Sequence, residues 1–152
     1  LFAPFANSYR RFQAYNCAPL VANWGVNNRT VSLRVPTGKA DTRHVEHRIC
    51  GADANPYLAM ATVLAGVHHG LTGRIDPGPA VTGNGYAVEA DPAATMPTTW
   101  GSAVDRFERS AVLADYLGQR FVEKYSIVKR TEQARYNEVV SPLDYQWYLR
   151  NV

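Results

Sequence analysis

RHVEHRICGADANPYL, residues 43–58, contains the change of period that decides the fold. From Arg43 to Ile49 the chain alternates, with Val45 and Ile49 at odd positions and His44, Glu46 and Arg48 at even ones. A side-chain period of two predicts a strand and puts those three polar groups on one face. After Gly51 the pattern becomes helical. Asn55 is a good N-cap and Pro56 suits the first helical position. Leu58, Ala61, Leu64, Ala65, Val67 and Leu71 form a stripe, and Gly73 can stop the helix. A strand that sets one carboxylate between two potential cations, then runs into a capped helix, is an unusual unit.

Working outward, Thr30–Val35 also alternates, with Val31, Leu33 and Val35 on one side, and reads as a half-buried strand broken by Pro36-Thr37-Gly38. Residues 1–24 mix aromatic and polar groups and end in the Trp24-Gly25 turn signal. Downstream, residues 74–101 are rich in Gly, Pro and Thr and read as a long surface loop. Ser102 and Asp105 have capping-box spacing for a second helix, which Gly118 ends or bends. Residues 119–140 are again helical in pattern, and Ser141-Pro142 opens a short terminal helix. The expectation is an α+β chain, with antiparallel strands near the N-terminus followed by helices.

The 152 residues amount to one domain. At 46% hydrophobic and 19% charged, the chain is not disordered, collagenous or a coiled coil. No apolar run approaches the ~20 residues of a membrane span. Two cysteines, Cys17 and Cys50, do not make a disulfide scaffold, and a reducing, cytoplasmic setting is expected. The chain opens directly into an aromatic, arginine-rich stretch, so a fragment of a longer protein is expected. Charge is uneven: residues 1–50 carry seven bases against two acids, and all but Lys39 of those bases are Arg. Arg presents a planar fork of donors suited to phosphate and carboxylate. The first third is built to hold anions.

Each motif alone is ambiguous. Arg10 and Arg11, within Asn7-Ser8-Tyr9-Arg10-Arg11, suit a carboxylate clamp or a plain basic loop. Arg29 and Arg34 lie five apart, so a shared phosphate site needs a bend between them. His44, Glu46, His47 and Cys50 have the wrong spacing for zinc, whereas one carboxylate among phosphate-binding arginines suits Mg2+ or Mn2+. His68 and His69 read as structural, and both cysteines as inert small hydrophobes.

Taken in order, Asn-Ser-Tyr-Arg-Arg (7–11), Ala-Pro (18–19), Asn28-Arg29, Arg34-Val35-Pro36, Val45-Glu46-His47-Arg48 and Asp-Ala-Asn-Pro-Tyr-Leu (53–58) resemble the C-terminal part of the glutamine synthetase catalytic domain. Trp24–Arg29 and Asn55–Ala59 look like the branch that ligates glutamate to polyamines. The resemblance implies residues 1–152 are a partial catalytic domain, its N-terminal domain and first portion lying upstream. It implies an ATP-dependent ligase that joins an amine or ammonium to the γ-carboxylate of glutamate through γ-glutamyl phosphate. By position, Arg11 and Arg48 would hold glutamate, Arg29 and Arg34 the ATP phosphates and transferring phosphoryl group, and Glu46 a Mg2+ or Mn2+ ion. A cytoplasmic homo-oligomeric ring is implied, with no nucleic acid and no membrane as partner.

Two positions depart from the family pattern. Cys17 stands where the family has the Glu that attracts ammonium, which leaves room for an alkyl amine. His44 stands where an Arg near the phosphates is usual, and an imidazole of ordinary pKa ~6.5 is mostly neutral at pH 7. Other readings are true glutamine synthesis, a structural or regulatory family member without activity, and a single-strand nucleic-acid binder. The last explains neither Glu46 nor the order of motifs. The 152 residues by themselves are expected to be inactive and, with unpaired strand edges, prone to stick.

Overall fold

Helix α1 (Pro56–Thr72) begins and ends at its caps: the Asn55 side chain accepts from the N–H groups of Tyr57 and Leu58, and Gly73 N–H returns to His69 O. The computed structural model describes residues 1–13, 16, 18–89 and 91–150. Four helices follow: α2 (Trp100–Glu108), α3 (Ala111–Leu117), α4 (Gln119–Asn137) and α5 (Pro142–Tyr148). Gly118 divides α3 from α4 at φ +87, a conformation that favours glycine. Ser141 and Asp144 form the capping box of α5. The second helix starts earlier than Ser102. Its cap is Thr99, whose side chain accepts from Ser102 N–H, and Asp105 is drawn away to Arg130 on α4.

The sheet has three short strands in the order β1 (Trp24–Val26), β2 (Leu33–Val35) and β3 (Glu46–His47). β2 and β3 are antiparallel as expected, with Arg34 opposite Glu46. β1, in a stretch read from sequence as a turn, joins β2 in parallel. Residues 30–32 are not strand. Val31 and Ser32 are both buried, and Ser32 bonds to loop groups instead, its N–H to Asn23 Oδ1 and its hydroxyl to Val21 O. Side-chain bonds of this kind compete with a ladder and shorten the strand.

Residues 76–89 and 91–96 lie as a strap along 20–30. Trp24 Nε1 donates to Gly78 O (2.9 Å), Val81 N–H to Trp24 O (2.8 Å) and Met96 N–H to Leu20 O (2.8 Å). Asn28 Nδ2 donates to Val81 O and Gly83 O, and Gly85 N–H donates to Thr30 Oγ1 (2.6 Å).

The core sits between α2 and α4, where Trp100, Val104, Phe107 and Val122 are buried. Arg130 of α4 reaches both Asp105 and Glu108 of α2. The N-terminal 3-10 helix Ala6–Arg11 docks nearby: Lys129 Nζ lies 4.7 Å from the Phe5 ring and 5.4 Å from the Tyr125 ring. Of the apolar stripe on α1 only Ala65 is buried. Leu64, Val67 and Leu71 are exposed, because α3 is the main element packed on this helix and covers little of it. Among the described residues no helix is long and apolar enough to cross a membrane.

Candidate active site

Antiparallel pairing of β2 with β3 sets Arg34 directly across from Glu46, on one face, and the period of two adds Arg48 to that face. The side chains follow the backbone. Arg34 Nη1 donates to Glu46 Oε2 at 2.7 Å, and Arg48 Nε donates to Oε1 at 3.1 Å. Each carboxylate oxygen therefore holds a different guanidinium. Arg34 Nη2 also donates to Asn27 Oδ1 at 2.6 Å. Asn27 makes this reach from a left-handed backbone (φ +48), a region asparagine tolerates better than most residues. Hydrogen bonding and charge from Arg34, with Arg48 adding to both, hold the Glu46 carboxyl below its ordinary 4.5.

Both arginines are only 15% exposed at the side chain, against 39% for Glu46. Arg34 Nε and Arg48 Nη1 are buried without a hydrogen-bond partner, and so is Arg11 Nε. Buried donors are nearly always satisfied, and leaving one unmade costs about 1–3 kcal/mol. These three arginine N–H groups thus carry donor capacity that the described residues leave unused.

Arg11 arrives from the end of the 3-10 helix. Its Nη2 donates to Ile49 O at 2.6 Å, one residue from Arg48. Arg29 is not drawn into this cluster: it is exposed, with no hydrogen bond or ion pair among the described residues, beyond the buried bend at 30–32 that separates it from Arg34. His44 is exposed, with Nδ1 2.9 Å from Thr42 O. His47 points the other way, its ring 4.4 Å from Phe2, and burial pushes its pKa down. Cys17 lies outside the described residues. Asn27, Asn28 and Asp53 stand within motifs quoted from the sequence but were given no role there. The Asn-Asn pair beside an arginine was the available signal for the first two.

For a metal ion, the described residues contain no group of three or more His, Cys, Asp or Glu side chains. Glu46, ionised and at the mouth of the cluster, is the one carboxylate here fitted to face a divalent ion. A cation on it would take over charge that the two arginines now neutralise. The guanidinium donors fit phosphate and carboxylate oxygens directly.

The chain is similar to known proteins over nearly its whole length. The glutamine synthetase catalytic domain matches residues 1–148, and the chain belongs to that family. It is 41% identical over 151 residues to the gamma-glutamylputrescine synthetase of Escherichia coli strain K12, covering 99% of this chain and 31% of that protein. It is 35% identical over 150 residues to the gamma-glutamylethanolamide synthetase of Streptomyces coelicolor, covering 99% and 31%. The solved structure of apo GmaS without ligand superposes with a TM-score of 0.82 at 31% identity, over 97% of this chain and 34% of that one. The chain thus spans about a third of the length of the proteins it matches.

Proposed function

We propose that this chain forms part of the active site of an ATP-dependent ligase that couples an amine to the γ-carboxylate of glutamate by way of γ-glutamyl phosphate. The observation that carries the reading is the Arg34–Glu46–Arg48 cluster, with its buried, unpaired guanidinium N–H groups. A reaction that brings phosphates and carboxylates together needs fixed cations, since the charge must be met by groups already in place.

In this reading Arg11 and Arg48 hold the carboxylates of glutamate. Arg34 and Arg29 take the oxygens of the ATP phosphates and of the phosphoryl group in transfer. Arg29, exposed and unpaired, has no internal contact to give up first. Glu46 would hold Mg2+ or Mn2+, which supplies charge neutralisation for the phosphate oxygens. The attacking carboxylate is oriented by guanidinium forks, and the amine then displaces phosphate from the acyl phosphate. Cys17 marks the amine side: a neutral thiol attracts a small cation less than a carboxylate does and leaves room for an alkyl chain. Two relatives named for putrescine and ethanolamide products support an amine larger than ammonia. The active species is proposed to be a cytoplasmic homo-oligomer.

The test is ADP release by the intact protein that carries this chain, with glutamate and Mg2+, comparing ammonium with mono- and diamines. Preference for an alkyl amine is the expected result. Preference for ammonium would return the protein to glutamine synthesis. Binding of Mg-ATP without turnover of any amine would make it an inactive family member.

A further inference from the structure

We infer that Asp53, acting through Ser8, is a positioning residue that sets the reach of Arg11 and with it the affinity for the amino-acid substrate. The inference rests on the reading above that Arg11 holds glutamate. It starts from the 3-10 helix Ala6–Arg11. At three residues per turn, side chains three apart stand one above the other, so Ser8 and Arg11 project from the same side. Both land on one short segment. Ser8 Oγ donates to Asp53 Oδ2 at 2.5 Å, and Arg11 Nη2 donates to Ile49 O at 2.6 Å. Two anchors on one face fix how the helix is rolled about its axis.

The Ser8 hydroxyl has no slack. It is 2% exposed, and it already accepts from Phe5 N–H at 3.1 Å, which closes the first turn of the helix. Its one proton must go elsewhere, and Asp53 is the partner recorded for it. Removing that acceptor orphans a buried donor, and a turn of the helix that relieved this would swing Arg11.

Gly51 explains how three groups meet there. A Cβ on this residue would lie 2.2 Å from Asp53 Oδ1 and 3.3 Å from Arg11 Nη2, so glycine leaves the space both side chains cross. Gly51 N–H also donates to Phe2 O at 2.9 Å, tying the same segment to the start of the N-terminal stretch. The carboxylate makes no ion pair with Arg11 in this geometry. Its hydrogen bond goes to the serine.

The experiment measures glutamate and ADP binding to the intact protein by calorimetry, with melting temperature alongside, for Asp53→Ala, Ser8→Ala, Asp53→Asn, Arg11→Ala and the Ser8→Ala/Asp53→Ala double variant. Asp53→Ala and Ser8→Ala should each raise the Kd for glutamate about tenfold, the scale of one intramolecular hydrogen bond, and leave that for ADP unchanged. Asp53→Asn keeps an acceptor oxygen and should recover most of the loss. The double variant should be no worse than either single one. If Asp53→Ala and Ser8→Ala leave glutamate binding intact while Arg11→Ala weakens it, the inference is overturned and the Arg11 reading stands. Equal weakening of glutamate and ADP binding with a lowered melting temperature would reduce Asp53 to a structural role and overturn it too. Unchanged glutamate binding in Arg11→Ala, or none in the parent protein, would overturn the Arg11 reading and the inference with it.

Discussion

Asn28→Ala removes four hydrogen bonds at the seam between the strap and the segment carrying Arg29. Nδ2 gives up Val81 O (3.1 Å) and Gly83 O (2.9 Å), while Oδ1 gives up Thr30 N–H (2.9 Å) and Thr30 Oγ1 (2.7 Å). At a net value near 1 kcal/mol each, discounted because the Gly83 bond is exposed, the loss is about 2–3 kcal/mol. It falls on local opening of the strap, since the buried residues between α2 and α4 make none of these four bonds. Native-state hydrogen exchange reads it directly. The Val81 amide, bonded to Trp24 O, and the Gly85 amide, bonded to Thr30 Oγ1, should exchange about 30- to 150-fold faster than in the parent protein. Asn28→Asp is the sharper probe. It keeps the oxygen facing Thr30 but aims a second oxygen at two carbonyls, so Val81 should lose protection while the Thr30 amide keeps it. Parent-like exchange at both Val81 and Gly85 in Asn28→Ala would refute the idea that this side chain fastens the strap.

Two more outcomes are expected. Hydrogen bonding from Arg130 holds the Asp105 carboxyl below its ordinary 3.8. A depressed carboxyl stabilises the α2–α4 contact fully above pH 3.8, and the contribution is lost as pH falls through the lowered value. Carbon NMR should therefore find Asp105 titrating below 3.8, and near it in Arg130→Met; an ordinary value in the parent would mean the pair does not persist in solution. Lys129→Met keeps the bulk of a side chain only 9% exposed but removes the ammonium from Phe5, Tyr125 and Glu132. It should destabilise by about 1–2 kcal/mol in urea unfolding. An unchanged midpoint would show that Phe5 is seated by packing alone.

What could be read from sequence depended on how local each signal was. The ends of α1 and α5 followed from Asn55, Pro56, Gly73 and the Ser141–Asp144 pair, because a cap is satisfied within a few residues. The Glu46–Arg48 pairing followed from strand alternation. Ser102 misled because two capping patterns overlap there, and a helix 25 residues away claimed Asp105 through Arg130. Alternation also failed at Val31 and Ser32, buried side by side because the chain turns inward to meet Val21 and Asn23. The parallel seat of β1 was not legible, since it rests on contacts with a distant strap. Arg11, Arg34, Glu46 and Arg48 were named through family motifs; Asp53 and Asn28 stand in those motifs too, but their hydrogen-bond partners are supplied only by the folded chain.

The seating of Phe5 beneath Lys129 has a consequence for the order in which the chain takes shape. Phe5 lies far ahead of α4 (Gln119–Asn137) in the sequence, so during synthesis its aromatic ring must wait for that helix to leave the ribosome before it has a lid. The strands and α1 can form meanwhile from nearer neighbours. Arg11, six residues after Phe5, thus gains its final setting only once α4 is available, although it is made well before that helix. A nascent chain interrupted before residue 129 would carry its arginine cluster with one support absent.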